Sequence, residues 1–168
     1  MAKMRSVRLV GMDSMNYLIN HQREKVMGLL KRVDIFLANE QEAKSLTAEV
    51  NLLKAARRLR SFGPAMVLIK KGEHGILFYS DKFTLCLPAY PADKVIDPTG
   101  AGDTFAGAFM GYLAKAGKLN AQSISRAIAL GTIAASFNVQ GFGVQKTAGL
   151  EAADLFRRLK QFRSYVRF

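Results

Sequence analysis

Short apolar runs alternate along this chain with longer stretches in which apolar residues recur at helical spacing. "VRLV" at 7–10 reads as a strand. Residues 17–31 then carry Leu18, Val26, Leu29 and Leu30 among polar neighbours, as an amphipathic helix would. "DIFLA" at 34–38 reads as a second strand, and Asn39 behind it can cap a short helix with an acidic start. A further helix is expected over roughly 50–62, with Leu52, Leu53, Ala56 and Leu59 on one side. "AMVLIK" at 65–70 is a continuous apolar run of the kind buried on both faces of a sheet. "ILFY" at 76–79 and "FTLCL" at 83–87 flank Ser80-Asp81-Lys82 as a hairpin. Helical segments follow near 102–117, 121–139 and 149–163.

Strands alternating with helices predict an open α/β architecture, a mainly parallel sheet covered by helices on both faces. Ligands of such sheets sit beyond the carboxyl ends of the strands, and the glycine-rich turns of this sequence are expected at those ends.

Composition narrows the classes. With 168 residues, 49% of them hydrophobic, one domain with a substantial core is the expectation. The single cysteine, Cys86, rules out an internal disulfide framework and fits a reducing compartment. Arg5, Arg8 and Asp13 interrupt the start, unlike an export signal, and no run is long enough to span a bilayer. The chain therefore reads as a soluble cytoplasmic domain with no membrane partner. A net charge of +12 asks for an anionic partner, either nucleic acid or a phosphorylated small molecule. The basic residues are dispersed, with Arg57, Arg58 and Arg60 on one expected helix and Arg157, Arg158, Lys160 and Arg163 on another. No aromatic RNA-binding signature or zinc-finger spacing accompanies them, so a solvated basic surface is the favoured reading over nucleic acid.

The most particular stretch is "DPTGAGDTF" at 97–105, where two glycines and an alanine separate two carboxylates and a helical run follows. Gly100, Ala101 and Gly102 opening a helix would leave backbone N–H groups free for an anion, with the helix dipole adding attraction. Asp103 in the first turn could accept the proton of an alcohol while those amides hold a phosphoryl group. Magnesium and a cationic surround would offset the repulsion between Asp103 and the phosphates. A glycine-rich helix start serving packing alone is the plainer alternative. The string has neither the Walker form nor the dinucleotide form, since Phe105 stands where the last glycine of the latter belongs.

"DPTGAGDTFAGAF" resembles the C-terminal signature of the ribokinase-like PfkB carbohydrate kinases. "NEQE" at 39–42 is similar to the family's N-x-x-E motif, "KKGEHG" at 70–75 to its strand-turn beside the nucleotide, and "ASFNVQGFG" at 135–143 to the loop near the adenine and a monovalent cation. The resemblance implies a ribokinase-like three-layer α/β/α fold. It also implies ATP-dependent phosphoryl transfer to a hydroxyl of a sugar or nucleoside, with ATP, Mg2+ and a K+-like ion as cofactors. Asp103 would be the catalytic base, and Gly100, Ala101 and Gly102 the anion hole for the γ-phosphate. Asn39 would approach the phosphates, and Glu42 would act through water on magnesium, although Asn and Glu at a helix start also serve as plain caps. Lys70, Gly72 and Gly75 would border the nucleotide, with Lys70 standing where the family often has a hydroxyl residue. Asn138, Gly141 and Gly143 would lie near the adenine and the cation, which Asp97 and Thr99 would help to hold.

The resemblance covers the C-terminal half of such a kinase, so residues 1–168 are expected to be its nucleotide-binding and catalytic part without the N-terminal lid half. No glycine-rich sugar-binding motif is visible, and Asp13 and Asn16 resemble a segment near the active site without being diagnostic. A truncated gene product, an expressed C-terminal half and one partner of a split enzyme all remain open. Either self-association or a separate N-terminal half would cover the sheet edge left by missing strands. The alternative function is a nucleotide-binding remnant without kinase activity.

Overall fold

The computed structural model describes residues 8–166 and divides into two compact units. One comprises the residues up to Lys71 together with Ile76–Cys86; the other comprises Gly72–Gly75 and the residues from Leu87 onward.

The first unit is built on a sheet whose five strands follow chain order: β1 (Gly11–Asp13), β2 (Ile35–Asn39), β3 (Met66–Lys70), β4 (Ile76–Ser80) and β5 (Thr84–Leu87). β1, β2 and β3 run parallel, and β4 returns antiparallel to β3, so the sheet is mixed. The first strand begins later than its sequence suggested. Val7 lies outside the described residues, and residues 8–10 carry no ladder of their own. Instead, the carbonyl of Val10 accepts from the amides of Asp34 and Ile35, and its N–H donates to the Asp34 carboxylate at 2.8 Å. β3 shows why its sequence is apolar throughout: Met66 to Ile69 face alternate sides of the sheet and all are buried, so the strand is covered on both faces.

The helix expected over 17–31 is two helices, α1 (Asn16–His21) and α2 (Arg23–Leu30), separated by Gln22 at φ −139° and ψ 37°. The break resets the buried face: Ile19 serves α1, Val26 and Leu30 serve α2, and Leu29 points to solvent. α3 (Glu40–Thr47) and α4 (Leu52–Ser61) complete the unit. On α4 the inward stripe is Leu52, Ala55, Ala56 and Leu59, at the i, i+3, i+4, i+7 positions of one helical face, while Leu53 is exposed. These residues join Leu30, Phe36, Leu46, Val67 and Ile69 in one core, in which each large side chain contributes about 1.5–3 kcal/mol of burial.

The second unit contains a 3-10 turn (Gly72–His74), an irregular stretch from Pro88 to Thr99, and α5 (Ala101–Ala116), α6 (Ala121–Asn138) and α7 (Ala152–Tyr165). α6 packs along α5, and Leu130 and Ile133 of α6 meet Leu159 and Phe162 of α7 in a second core. Arg158 lies on this core, its guanidinium 3.3 Å from the Phe137 ring centre and bonded to Ser136 and Gln140.

Candidate functional site

The candidate residues divide between the units. In the first, the parallel strands β1, β2 and β3 end in Asp13, Asn39 and Lys70, which gathers polar side chains at the carboxyl ends as an α/β sheet does. Asn39 closes a capping box at the start of α3. Its side chain accepts from the Glu42 amide at 2.8 Å, and its own N–H donates to Glu42 Oε2 at 2.8 Å. Glu42 is consequently held rigidly and is only 3% exposed. Burial raises its carboxyl above the usual glutamate range; the Asn39 amide opposes this, Asp13 adds to it and Lys70 opposes it. Lys70 is the register partner of Asn39, and its ammonium is paired with Asp13 Oδ2. The sequence singled out Lys70 and Asp13 separately but gave no sign of their pairing. The signal lies in the topology, since parallel neighbours bring strand-end residues together across long sequence distances.

In the second unit, the glycine-rich string begins not at a strand end but after the irregular stretch, since β5 stops at Leu87. This corrects the expectation of a strand leading into the hinge. Gly100 is the N-cap of α5 at φ +80°, a left-handed conformation that glycine adopts without the cost borne by other residues. Ala101 and Gly102 already belong to the helix, and Asp103 sits, exposed, in its first turn. The Ala101 amide donates to the Pro98 carbonyl at 3.1 Å. The next two amides, of Gly102 and Asp103, have no hydrogen bond among the described residues. The Gly100 amide likewise has no hydrogen bond among the described residues, so of the three small residues only Ala101 has its amide engaged.

Around this helix start, Asp97 accepts from the Thr99 amide at 2.9 Å, and its carboxyl is held below the usual aspartate range by that bond and by the Thr99 side chain. The amides of Ile96 and Asp97 share the Val139 carbonyl. The neighbouring Asn138 is buried; its Nδ2 donates to the Gly143 carbonyl at 3.0 Å, while its Oδ1 lacks any partner among the described residues. A Cβ on Gly100 would lie 3.6 Å from Asn138 Nδ2, so the helix start and the end of α6 adjoin. Asp97, Thr99, Gly100, Asn138 and Gly143 therefore form one neighbourhood. Gly75 has a steric reason of its own: at φ +85°, a Cβ there would meet the Leu87 carbonyl at 2.1 Å. Gly72 faces open space, and a Cβ on Gly141 would press only on the flexible Lys146 side chain.

The sequence matches the model of the pfkB family carbohydrate kinases over residues 5–150. The chain belongs to the pfkB family. The cytidine kinase of Thermococcus kodakarensis is 39% identical over 94 residues, which is 54% of this chain and 34% of that protein. The solved ribokinase of Arabidopsis thaliana, complexed with ribose and ATP, is 28% identical with a TM-score of 0.69, over 80% of this chain and 43% of that one. Aminoimidazole riboside kinase from Salmonella enterica, complexed with aminoimidazole riboside and an ATP analog, shares the fold at a TM-score of 0.77 and 24% identity, over 90% of this chain and 52% of that one. The pfkB chain thus spans about half or less of the length of these relatives, and its fold is the ribokinase-like α/β fold. Among the described residues, no helix is long and apolar enough to cross a membrane.

Proposed function

We propose that this chain carries the ATP-binding and phosphoryl-transfer machinery of a kinase acting on a hydroxyl of a sugar or nucleoside. The observation that carries the reading is the start of α5, where the unpaired Gly102 and Asp103 amides and the exposed Asp103 carboxylate share one helical turn. An oxyanion placed on those amides gains from their hydrogen bonds and from the helix dipole. Asp103 would take the acceptor's hydroxyl proton as the phosphoryl group transfers, and Gly100, Ala101 and Gly102 keep side-chain bulk away from the phosphate.

Asn39 would lie toward the ATP phosphates, with Glu42 acting on magnesium through water; Gly72, Gly75 and the main chain at Lys70 would border the nucleotide, and Gly141 the adenine. Magnesium binds through few carboxylates and keeps several waters, which suits the single fixed Glu42 carboxylate better than a dedicated cage would. Bound magnesium would offset phosphate charge. For a K+-like ion, the unpaired buried Asn138 Oδ1 and the ionised Asp97 carboxylate, with Thr99 beside it, are fitting oxygen donors.

Asp103→Asn tests the assignment. Any ATP-dependent turnover, whether phosphorylation across a sugar and nucleoside panel or ATP hydrolysis, should fall by about 10²–10⁴ while nucleotide binding by calorimetry persists. Unchanged turnover would remove Asp103 from the chemistry.

A further inference from the structure

We infer that the Lys70 ammonium binds the terminal phosphates of the nucleotide, held at the strand end by Asp13 as its positioning residue. The inference rests on the nucleotide-binding reading above and assigns a side chain that the family resemblance leaves without a role.

The argument begins with placement. Lys70 and Asn39 are register partners at the carboxyl ends of adjacent parallel strands, so an anion approaching Asn39 approaches Lys70 as well. Asp13 ends the next strand, and both of its carboxylate oxygens are engaged: Oδ1 accepts from the Ser14 amide at 2.9 Å and Oδ2 accepts from Lys70 Nζ. The pair is mostly shielded, with the Lys70 side chain 16% and the Asp13 side chain 24% exposed. A long flexible amine is thereby fixed in one place before any ligand arrives, which reduces the entropy lost on binding.

Charge and donor count complete the case. An ammonium has three donors, and Lys70 uses one among the described residues. The remaining two can serve phosphate oxygens without breaking the Asp13 pair. Asp13 and Glu42 are two carboxylates against one ammonium, and the Glu42 carboxyl, raised chiefly by burial, is raised further by the Asp13 charge and lowered by Lys70. A polyphosphate entering such a surround gains most from the one fixed cation, which a hydroxyl residue at position 70 could not provide.

The test is calorimetric titration of the 168-residue chain with AMP, ADP and ATP in the presence of magnesium. Affinity should rise with phosphate number. Lys70→Gln, which removes the charge and keeps a side-chain donor, should lose about tenfold to a hundredfold in ATP affinity and leave AMP affinity unchanged. Lys70→Arg, which keeps the charge, should retain most of the ATP gain. Asp13→Asn should cost less than Lys70→Gln and nothing further in the double variant, because it acts through the ammonium. Equal losses for all three nucleotides, or loss of the gain in Lys70→Arg too, would reduce the pair to a structural one. An additive double variant would remove Asp13 from the account. A wild-type chain that binds none of the nucleotides would overturn the nucleotide reading itself and this inference with it.

Discussion

Phe105 lies against Gly131 so closely that a Cβ on the glycine would come within 2.7 Å of the phenyl ring and 3.0 Å of the Phe105 carbonyl. Phe105 is the last residue of the glycine-rich string, and it is 2% exposed. The aromatic thus seats the first turns of α5 on α6, and the turn that carries Asp103 inherits its position from that contact.

Gly131→Ala should therefore destabilise the fold by about 1–3 kcal/mol, since both ring and backbone must shift. Phe105→Ala should cost about 3–5 kcal/mol through the cavity it leaves. Thermal denaturation of the two variants checks this. A neutral Gly131→Ala would mean that α5 and α6 are not locked by this pair.

Gly102→Val probes the other side of the same turn. A branched side chain there would stand beside the free Gly102 and Asp103 amides, so nucleotide affinity should fall more than stability. The helix itself tolerates valine at a cost below that of glycine, which separates the two effects. Titration with ATP and a melting curve of the same preparation give both readouts. A variant that binds ATP as the wild type does would leave the small residues with a packing role alone.

Much of the scaffold was legible in the sequence, and the failures have identifiable causes. The uninterrupted apolar run at Met66 to Ile69 announced a strand buried on both faces, and Asn39 followed by Glu42 announced its capping box. The helix break at Gln22 carries no proline or glycine, so apolar spacing alone ran the two helices together and placed the exposed Leu29 inside. Val10 was read as strand, whereas its backbone bonds go to Asp34 and Ile35 before the ladder proper begins. At the site, Asp103 and its glycines were visible because they are contiguous. The pairing of Lys70 with Asp13 was not, because it depends on three strands lying side by side.

Glu42 gives a pH signature. Its carboxyl is raised in the folded chain, chiefly by burial, so the folded state holds the proton more tightly than the unfolded one. This contribution to stability is complete below the ordinary glutamate pKa and is lost as pH rises through the raised folded value. Glu42→Gln removes the titration while keeping an acceptor for the Asn39 amide. In EDTA, the melting temperature of the wild type should therefore decline relative to Glu42→Gln as pH climbs from the ordinary glutamate pKa through that window. Parallel profiles for the two proteins would show that Glu42 titrates as an exposed glutamate does.

The last prediction concerns the 168-residue chain by itself, which should bind ATP–Mg weakly and phosphorylate sugars or nucleosides poorly or not at all. Its stretch of similarity covers 34% of the cytidine kinase and 43% of the Arabidopsis ribokinase. The residues proposed for the nucleotide lie within residues 5–150, the stretch that matches the family. A glycine-rich sugar-binding motif and polar residues to orient an acceptor hydroxyl are not visible in these 168 residues. Orientation of the acceptor and exclusion of water account for several orders of magnitude in such reactions, so a chain that holds ATP without them favours slow transfer to water. The measurement is a phosphoryl-transfer assay over a panel of sugars and nucleosides, with ATP hydrolysis followed in parallel and Asp103→Asn as control. Slow hydrolysis that depends on Asp103, with little phosphorylated acceptor, is the expected result. Robust phosphorylation of any acceptor, lost in Asp103→Asn, would show that these 168 residues contain an acceptor site of their own.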